Sequence, residues 1–221
     1  MSQLYMNILY IMYVSYLVAL AGGIHSRVFR FRAGRPLFIY LCIEIASEIT
    51  SYITVIIYHV NNQFVMHVDS IMDLLMFLSF YRMILKPGTV RNLLPFAAIV
   101  GLLIGAADWW LLAGPYVQPS FARTSHLLLI APLPLVFFQQ LLQNPEVEDL
   151  RTYPLFWINT AALFKYFGLL AVSSVGYLIH NAEVGSSFRV LWNINNLVNI
   201  VFNVLLGIGF YRWKTPVTSY S

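Results

Sequence analysis

Two pairs of acids, one lysine and a row of asparagines are the chemically able groups within the long apolar stretches of this chain. Glu44 and Glu48 stand four residues apart, as do Asp69 and Asp73. On a helix each pair shares one face, where two ionised carboxylates repel each other in a low-dielectric setting. Lys165 is the only basic residue inside any long apolar segment. A lysine near the bilayer centre costs about 2.5 to 3.5 kcal/mol on insertion scales, so it persists where it faces a bundle interior, meets an acid or does a job. Asn196, Asn199 and Asn203 follow at spacings of three and four, again one helical face.

These residues need helices to hold them, and the composition says which kind. Of 221 residues, 59% are apolar and 10% charged, where soluble domains carry about 25% charged residues. That excludes a soluble domain and predicts a polytopic membrane protein. Seven apolar segments can be drawn, at 4–24, 37–58, 66–85, 93–113, 124–142, 155–179 and 190–211, each near the ~20 residues that a tilted helix needs. They are continuous rather than alternating, so barrel strands are excluded. The expectation is an all-α integral membrane protein, a seven-helix bundle in which 1–221 forms a single transmembrane domain.

Basic residues orient that bundle, because cytoplasmic loops collect Lys and Arg. Arg27, Arg30, Arg32 and Arg35 lie in the first loop, Arg82, Lys86 and Arg91 in the third, Arg151 in the fifth, and Arg212 and Lys214 in the tail. Only Arg123 and Arg189 fall on the other side. The amino terminus is expected outside and the carboxyl terminus inside. The net charge of +4 is then a topology signal rather than a nucleic-acid footprint; the lipid bilayer is the partner it implies. Small residues Ala19 to Gly22 end the first segment, yet no basic residue precedes it and four arginines follow, which predicts a retained helix rather than a cleaved signal. The single Cys42 permits no internal disulfide.

Counting the helical rise from the outer ends puts Glu48 about 15 Å deep, Asp73 about 10 Å and Lys165 about 21 Å. Glu44, Glu48, Asp73, Lys165, Asn199 and Asn203 are therefore expected near one level, as a ligand-binding or ion-relay belt with Lys165 paired to Glu44 or Glu48. The bland alternative is a structural ion pair with amide hydrogen bonds between helices. Four histidines, His59, His67, His126 and His180, fall at outer helix ends, as weak candidates for a metal or a pH sensor. Their spacings match no zinc motif, so no metal and no cofactor is assigned. Pro132 and Pro134 should kink the fifth helix.

Pro36-Leu37-Phe38 and Pro154-Leu155-Phe156 open two helices, and Phe80-Tyr81-Arg82 and Phe210-Tyr211-Arg212 close two others. These matches suggest a 3+1+3 parallel repeat in which helices one to three correspond to five to seven, with Asp69 and Asp73 set opposite Asn199 and Asn203.

The run Glu44-Ile-Ala-Ser-Glu48, the ending Phe80-Tyr81-Arg82, the entry Pro154 to Asn159 and the asparagine-rich last helix ending Gly207-Ile208-Gly209-Phe210 resemble a group of small bacterial seven-helix proteins. That group is similar to the membrane modules found beside or fused to sensor histidine kinases. The resemblance implies signal input, a kinase or other membrane partner, and the bacterial cytoplasmic membrane; a second copy of the chain is an allowed partner too. It supplies no catalytic residue. Three other likenesses fail on particular residues. Microbial rhodopsins carry their retinal lysine in helix seven, whereas Lys165 is in helix six. Zinc-dependent amidohydrolases of the ceramidase type resemble the chain at Glu44, Ser47 and a helix-three Asp, but where they need His-x-x-x-His this chain has Asn195-x-x-x-Asn199, and amides are poor zinc ligands. Small sugar transporters share the suggested repeat but not its Pro-Gln signature. The expected function is a membrane sensor that binds a small ligand, lipid or ion; the alternative is a small-molecule or proton-coupled transporter, with a hydrolase last. Whether the protein is an enzyme is left open, with the reading leaning against it.

Overall fold

The computed structural model describes residues 3–143, 149–180 and 185–214, with side chains throughout except at Tyr5 and from 174 to 189. Glu146 and Glu148, and the side chains of His180 and Arg189, lie outside the described residues. The helices are α1 (Gln3–Ser26), α2 (Gly34–Tyr52), α3 (Gln63–Ile84), α4 (Thr89–Ala107), α5 (Ser120–Ile130), α6 (Pro132–Gln143), α7 (Pro154–His180) and α8 (Gly185–Tyr211). There is no strand among the described residues. Wider π-helical turns, Ile53–Ile57 and Asp108–Leu112, extend α2 and α4.

Among the described residues, seven helical stretches are long and apolar enough to cross a membrane, and the chain is a multi-pass membrane protein. One of the seven, Ser120–Gln143, is built from α5 and α6 together. Pro132 has no N–H to donate to the preceding turn, so α5 ends on the bond from Ala131 N to Leu127 O (2.8 Å) and the helix restarts at the proline. The expected kink is present at that point.

Among the described residues two compact units divide the chain, one from Phe29 to Leu133 and the other made of the chain up to Val28 together with the chain from Pro134 to Lys214. In the first, α2 packs on α3, and α3, α4 and α5 pack on one another. In the second, α8 packs on both α7 and α1. This grouping sets helix one beside helix seven, so the compact units do not follow the division into helices one to three and five to seven that the repeat suggested.

The reason lies partly in small residues. A Cβ on Gly22 would lie 2.7 Å from the Gly207 carbonyl oxygen, and one on Gly207 would lie 3.2 Å from the Ala19 Cα. Bare backbone on both helices lets α1 and α8 approach closely, the usual route to association where lipid removes the hydrophobic drive. The stack of His25 on Tyr211 at 4.9 Å closes the same seam. At the entry of α7, Trp157 Nε1 donates to Arg151 O (2.8 Å) and its ring lies 5.7 Å from the Arg212 guanidinium, an interfacial anchor of the kind expected near headgroups.

Candidate functional site

In the Phe29–Leu133 unit the acids are held by hydroxyls. Tyr40 donates its phenolic hydrogen to Glu44 Oε1, one helical turn along α2. Ser47 donates across to Asp69 Oδ1 on α3. The second bond fixes the antiparallel register: Asp69 stands beside the turn that carries Ser47 and Glu48, and Asp73, one turn further along α3, falls near the level of Glu44. The depths counted from sequence set Asp73 about 5 Å short of Glu48, and Asp69 further out still. Part of the difference arises because α3 starts at Gln63 rather than at 66. Asn61 brings this about, because its Oδ1 accepts Gln63 N–H (2.9 Å) while its Nδ2 donates to Tyr116 O (2.9 Å). Three extra residues of helix carry Asp69 and Asp73 about 4.5 Å deeper.

Burial along α2 is uneven. Its first half holds Pro36, Leu37, Tyr40 and Leu41 in the interior, but from Cys42 to Tyr58 no residue is buried, and Glu44, Ser47 and Glu48 are half-buried. The acidic row therefore sits on the part of a membrane-spanning helix with the least protein around it.

The histidines fall into separate roles. His126 is 2% exposed, Nε2 lies 2.9 Å from Gly101 O, and Nδ1 lies 2.7 Å from Ser70 Oγ. A carbonyl only accepts, so Nε2 carries the hydrogen and Nδ1 takes that of Ser70. One imidazole thus joins α3, α4 and α5. Glycine at 101 makes room: a Cβ there would lie 3.5 Å from the ring's Cδ2 and collide with the Leu74 side chain. His67, also buried, points Nε2 at Gly114 O and Val117 O (3.1 Å each), and its ring meets Trp109 edge-on at 5.0 Å. His59 is exposed, with a left-handed φ of 54°. No group of three or more His, Cys, Asp or Glu that could hold a metal exists among the described residues. Asp108, the first residue of the π-helical turn that follows α4, is 1% exposed, and its Oδ2 has no hydrogen-bond partner among the described residues.

Lys165, Asn199 and Asn203 belong to the other unit. Lys165 is 3% exposed and its Nζ stands 4.8 Å from the centroid of the Phe202 ring, a cation–π contact between α7 and α8. Glu44 and Glu48, its expected partners, lie in the Phe29–Leu133 unit. Asn203 donates Nδ2–H to Ser15 Oγ on α1 (3.1 Å), and Ser15 passes its own hydrogen to Met12 O (2.6 Å). Asn199 is half-buried. Asn159 donates to Leu155 O (2.8 Å).

The structure thus joins Ser47 and Asp69 to Glu44, Glu48 and Asp73 within one unit, and Ser15 and Phe202 to Asn203 and Lys165 within the other. Ser47 was legible as a hydroxyl between two glutamates on one helix. The Ser70–His126 bond spans 56 residues and has no local sequence signal. No protein-family model, curated protein or solved structure matches the chain.

Proposed function

We propose that this protein is a membrane sensor and signal relay of the bacterial cytoplasmic membrane, amino terminus outside, that binds a small ligand, lipid or ion and passes the change to a cytoplasmic partner such as a sensor histidine kinase. The observation that carries the ligand-binding part is the acidic row on α2 and α3. Carboxylates in a spanning helix avoid lipid, so a row that the protein leaves half-open faces water or an occupant. Four carboxylates, Glu44, Glu48, Asp69 and Asp73, on facing turns of α2 and α3 favour a cation or a small amine. The basic loops support the orientation, and the sequence resemblance supports the kinase as partner.

An occupant that binds only the folded state raises its thermal stability by mass action. Purified protein in lipid nanodiscs is therefore melted against monovalent and divalent cations and small amines. Stabilisation by at least one of them, lost in both Glu48→Gln and Asp69→Asn, is the expected result. Stabilisation by none, or by the same amount in the variants, rejects the row as the site.

The same excess of acid supports a second reading, a proton- or ion-coupled transporter with Glu48, Asp73 and Lys165 as relays. Flux in liposomes separates the two. Proton- or substrate-coupled flux that Asp73→Asn abolishes would replace the sensor with the transporter.

A further inference from the structure

Along α8 the amides are buried without being satisfied. Asn196 and Asn203 are 2% and 1% exposed, yet Asn196 Nδ2 and Asn203 Oδ1 have no hydrogen-bond partner among the described residues. Turning the Asn203 amide over does not help. Ser15 already spends its hydrogen on Met12 O, so it can only accept from Asn203, and one amide atom stays bare in either orientation. Seven residues are two turns, so the two side chains lie on the same face about 10 Å apart, with half-buried Asn199 between them. The inner end of the row reaches the α7 level where Lys165 meets Phe202.

A close-packed apolar helix pair would be better served by leucine at each of these positions, because a bare buried amide forfeits its hydration with no return. Native proteins leave such atoms where water, a ligand or a second conformation supplies the missing bond. The opposite face of α8 shows that apolar residues are available to it: Leu197 and Val204 are 48% and 38% exposed, as lipid-facing positions should be. From Asn196 inward the asparagines keep to the stripe that looks into the α1–α7–α8 unit, while half-buried Asn193 and Asn195 flank it nearer the Val190 end.

We propose that the asparagine row of α8 lines an access path, closed in this packing, that water and small polar solutes enter from the Val190 end of α8 as far as the level of Lys165. Opening gives the bare donor of Asn196 and the bare acceptor of Asn203 their partners. The packing that closes the path leaves them without. The path lies within one unit and stands independently of the acidic row on α2 and α3, so failure of either proposal leaves the other intact.

The chain has one cysteine, exposed Cys42, so a Cys42→Ser background permits single-cysteine labelling. Thiols react as thiolates, which form in water and not in hydrocarbon. Asn199→Cys and Asn203→Cys, in native-like vesicles, are treated with a small charged methanethiosulfonate, with Leu197→Cys and Val204→Cys as lipid-facing controls. Row positions are expected to react at least about tenfold faster than the controls, on the strength of that thiolate requirement. Reaction no faster than at the controls would overturn the path. If Asn203→Cys does not elute as a single folded species, Ser15→Cys from the facing α1 replaces it and is read by the same criterion.

Discussion

Tyr40, Ser47 and Ser70 each give a hydroxyl hydrogen to an acceptor in the Phe29–Leu133 unit, to Glu44, Asp69 and His126 respectively. In the unit of α1, α7 and α8, amides at Asn159, Asn196 and Asn203 each keep a buried atom with no partner among the described residues. Both units bury polar groups in spanning helices. They differ in what the hydroxyls serve: Tyr40, Ser47 and Ser70 each complete an acid or an imidazole, whereas Ser15, the hydroxyl beside Asn203, is already committed to Met12 O and can only accept. The Phe29–Leu133 unit carries two cross-helix ties and one within α2, with Gln63 Oε1, Tyr81 Oη and Asp108 Oδ2 left as buried atoms without a partner among the described residues, and the other unit reads as a row left open to change.

The comparison is broken most directly at His126. Replacing it by Ala removes two buried hydrogen bonds and leaves a cavity among α3, α4 and α5, and should cost about 3 kcal/mol or more. Thermal unfolding in detergent measures this, and a double cycle with Ser70→Ala should return a coupling of about 1 kcal/mol. A drop no larger than that of a surface substitution would mean that the imidazole is no tie.

Next in size is Gly22→Leu. Its Cβ would press on the Gly207 carbonyl oxygen at 2.7 Å, and both contacts are backbone, which cannot swing aside. Overpacking of this sort costs about 1 to 3 kcal/mol. The expected outcome is a lower melting temperature, with Cys42 labelling in the other unit unchanged. An unaltered melt would show that α1 and α8 are not held at that distance.

Much of this was legible beforehand, and the limit is physical. Continuous apolar runs announced all seven spans, and their predicted ends lie within a few residues of the observed ones, because hydrocarbon thickness sets helix length whatever the packing. Pro132 and Pro134 marked the break in the fifth span because a missing N–H is a local fact. Glu44, Glu48 and Lys165 stood out because charge in an apolar run is conspicuous. What escaped was everything set by lateral packing. Three residues at the start of α3, gained through the Asn61 side chain, move Asp73 by nearly a turn. The Ser70–His126–Gly101 tie needs three helices in register before it exists. Likewise, short matching triplets suggested a correspondence between helices one to three and five to seven, but nothing in them announced the glycine seam of Gly22 and Gly207 that joins the first helix to the last.

A smaller effect is expected at Ser47. Ser47→Ala deletes the hydrogen donated to Asp69, a bond to a carboxylate, but both residues are half-buried. Water that reaches the freed oxygen recovers part of the loss, so the cost should be about 1 kcal/mol rather than the upper end for charged hydrogen bonds. A cost above about 3 kcal/mol would mean that Asp69 is sealed from water in the membrane, and would count against a row open to an occupant.

The smallest change is predicted at Asn203, and it tests the contrast most sharply. Asn203→Leu is nearly the same size and removes one long hydrogen bond to Ser15, 3.1 Å, while Ser15 retains its own bond to Met12 O at 2.6 Å. In exchange it removes a buried oxygen that has no partner among the described residues. The lost bond and the relieved desolvation are each about 1 kcal/mol and opposite in sign, so melting should move by less than either alone. An amide satisfied like the acids of α2 and α3 would give the other result, a loss of about 2 kcal/mol or more. That loss, with Ser15→Ala costing the same and the double variant no further, would show that Asn203 and Ser15 act as one fixed tie, and the two units would then be alike.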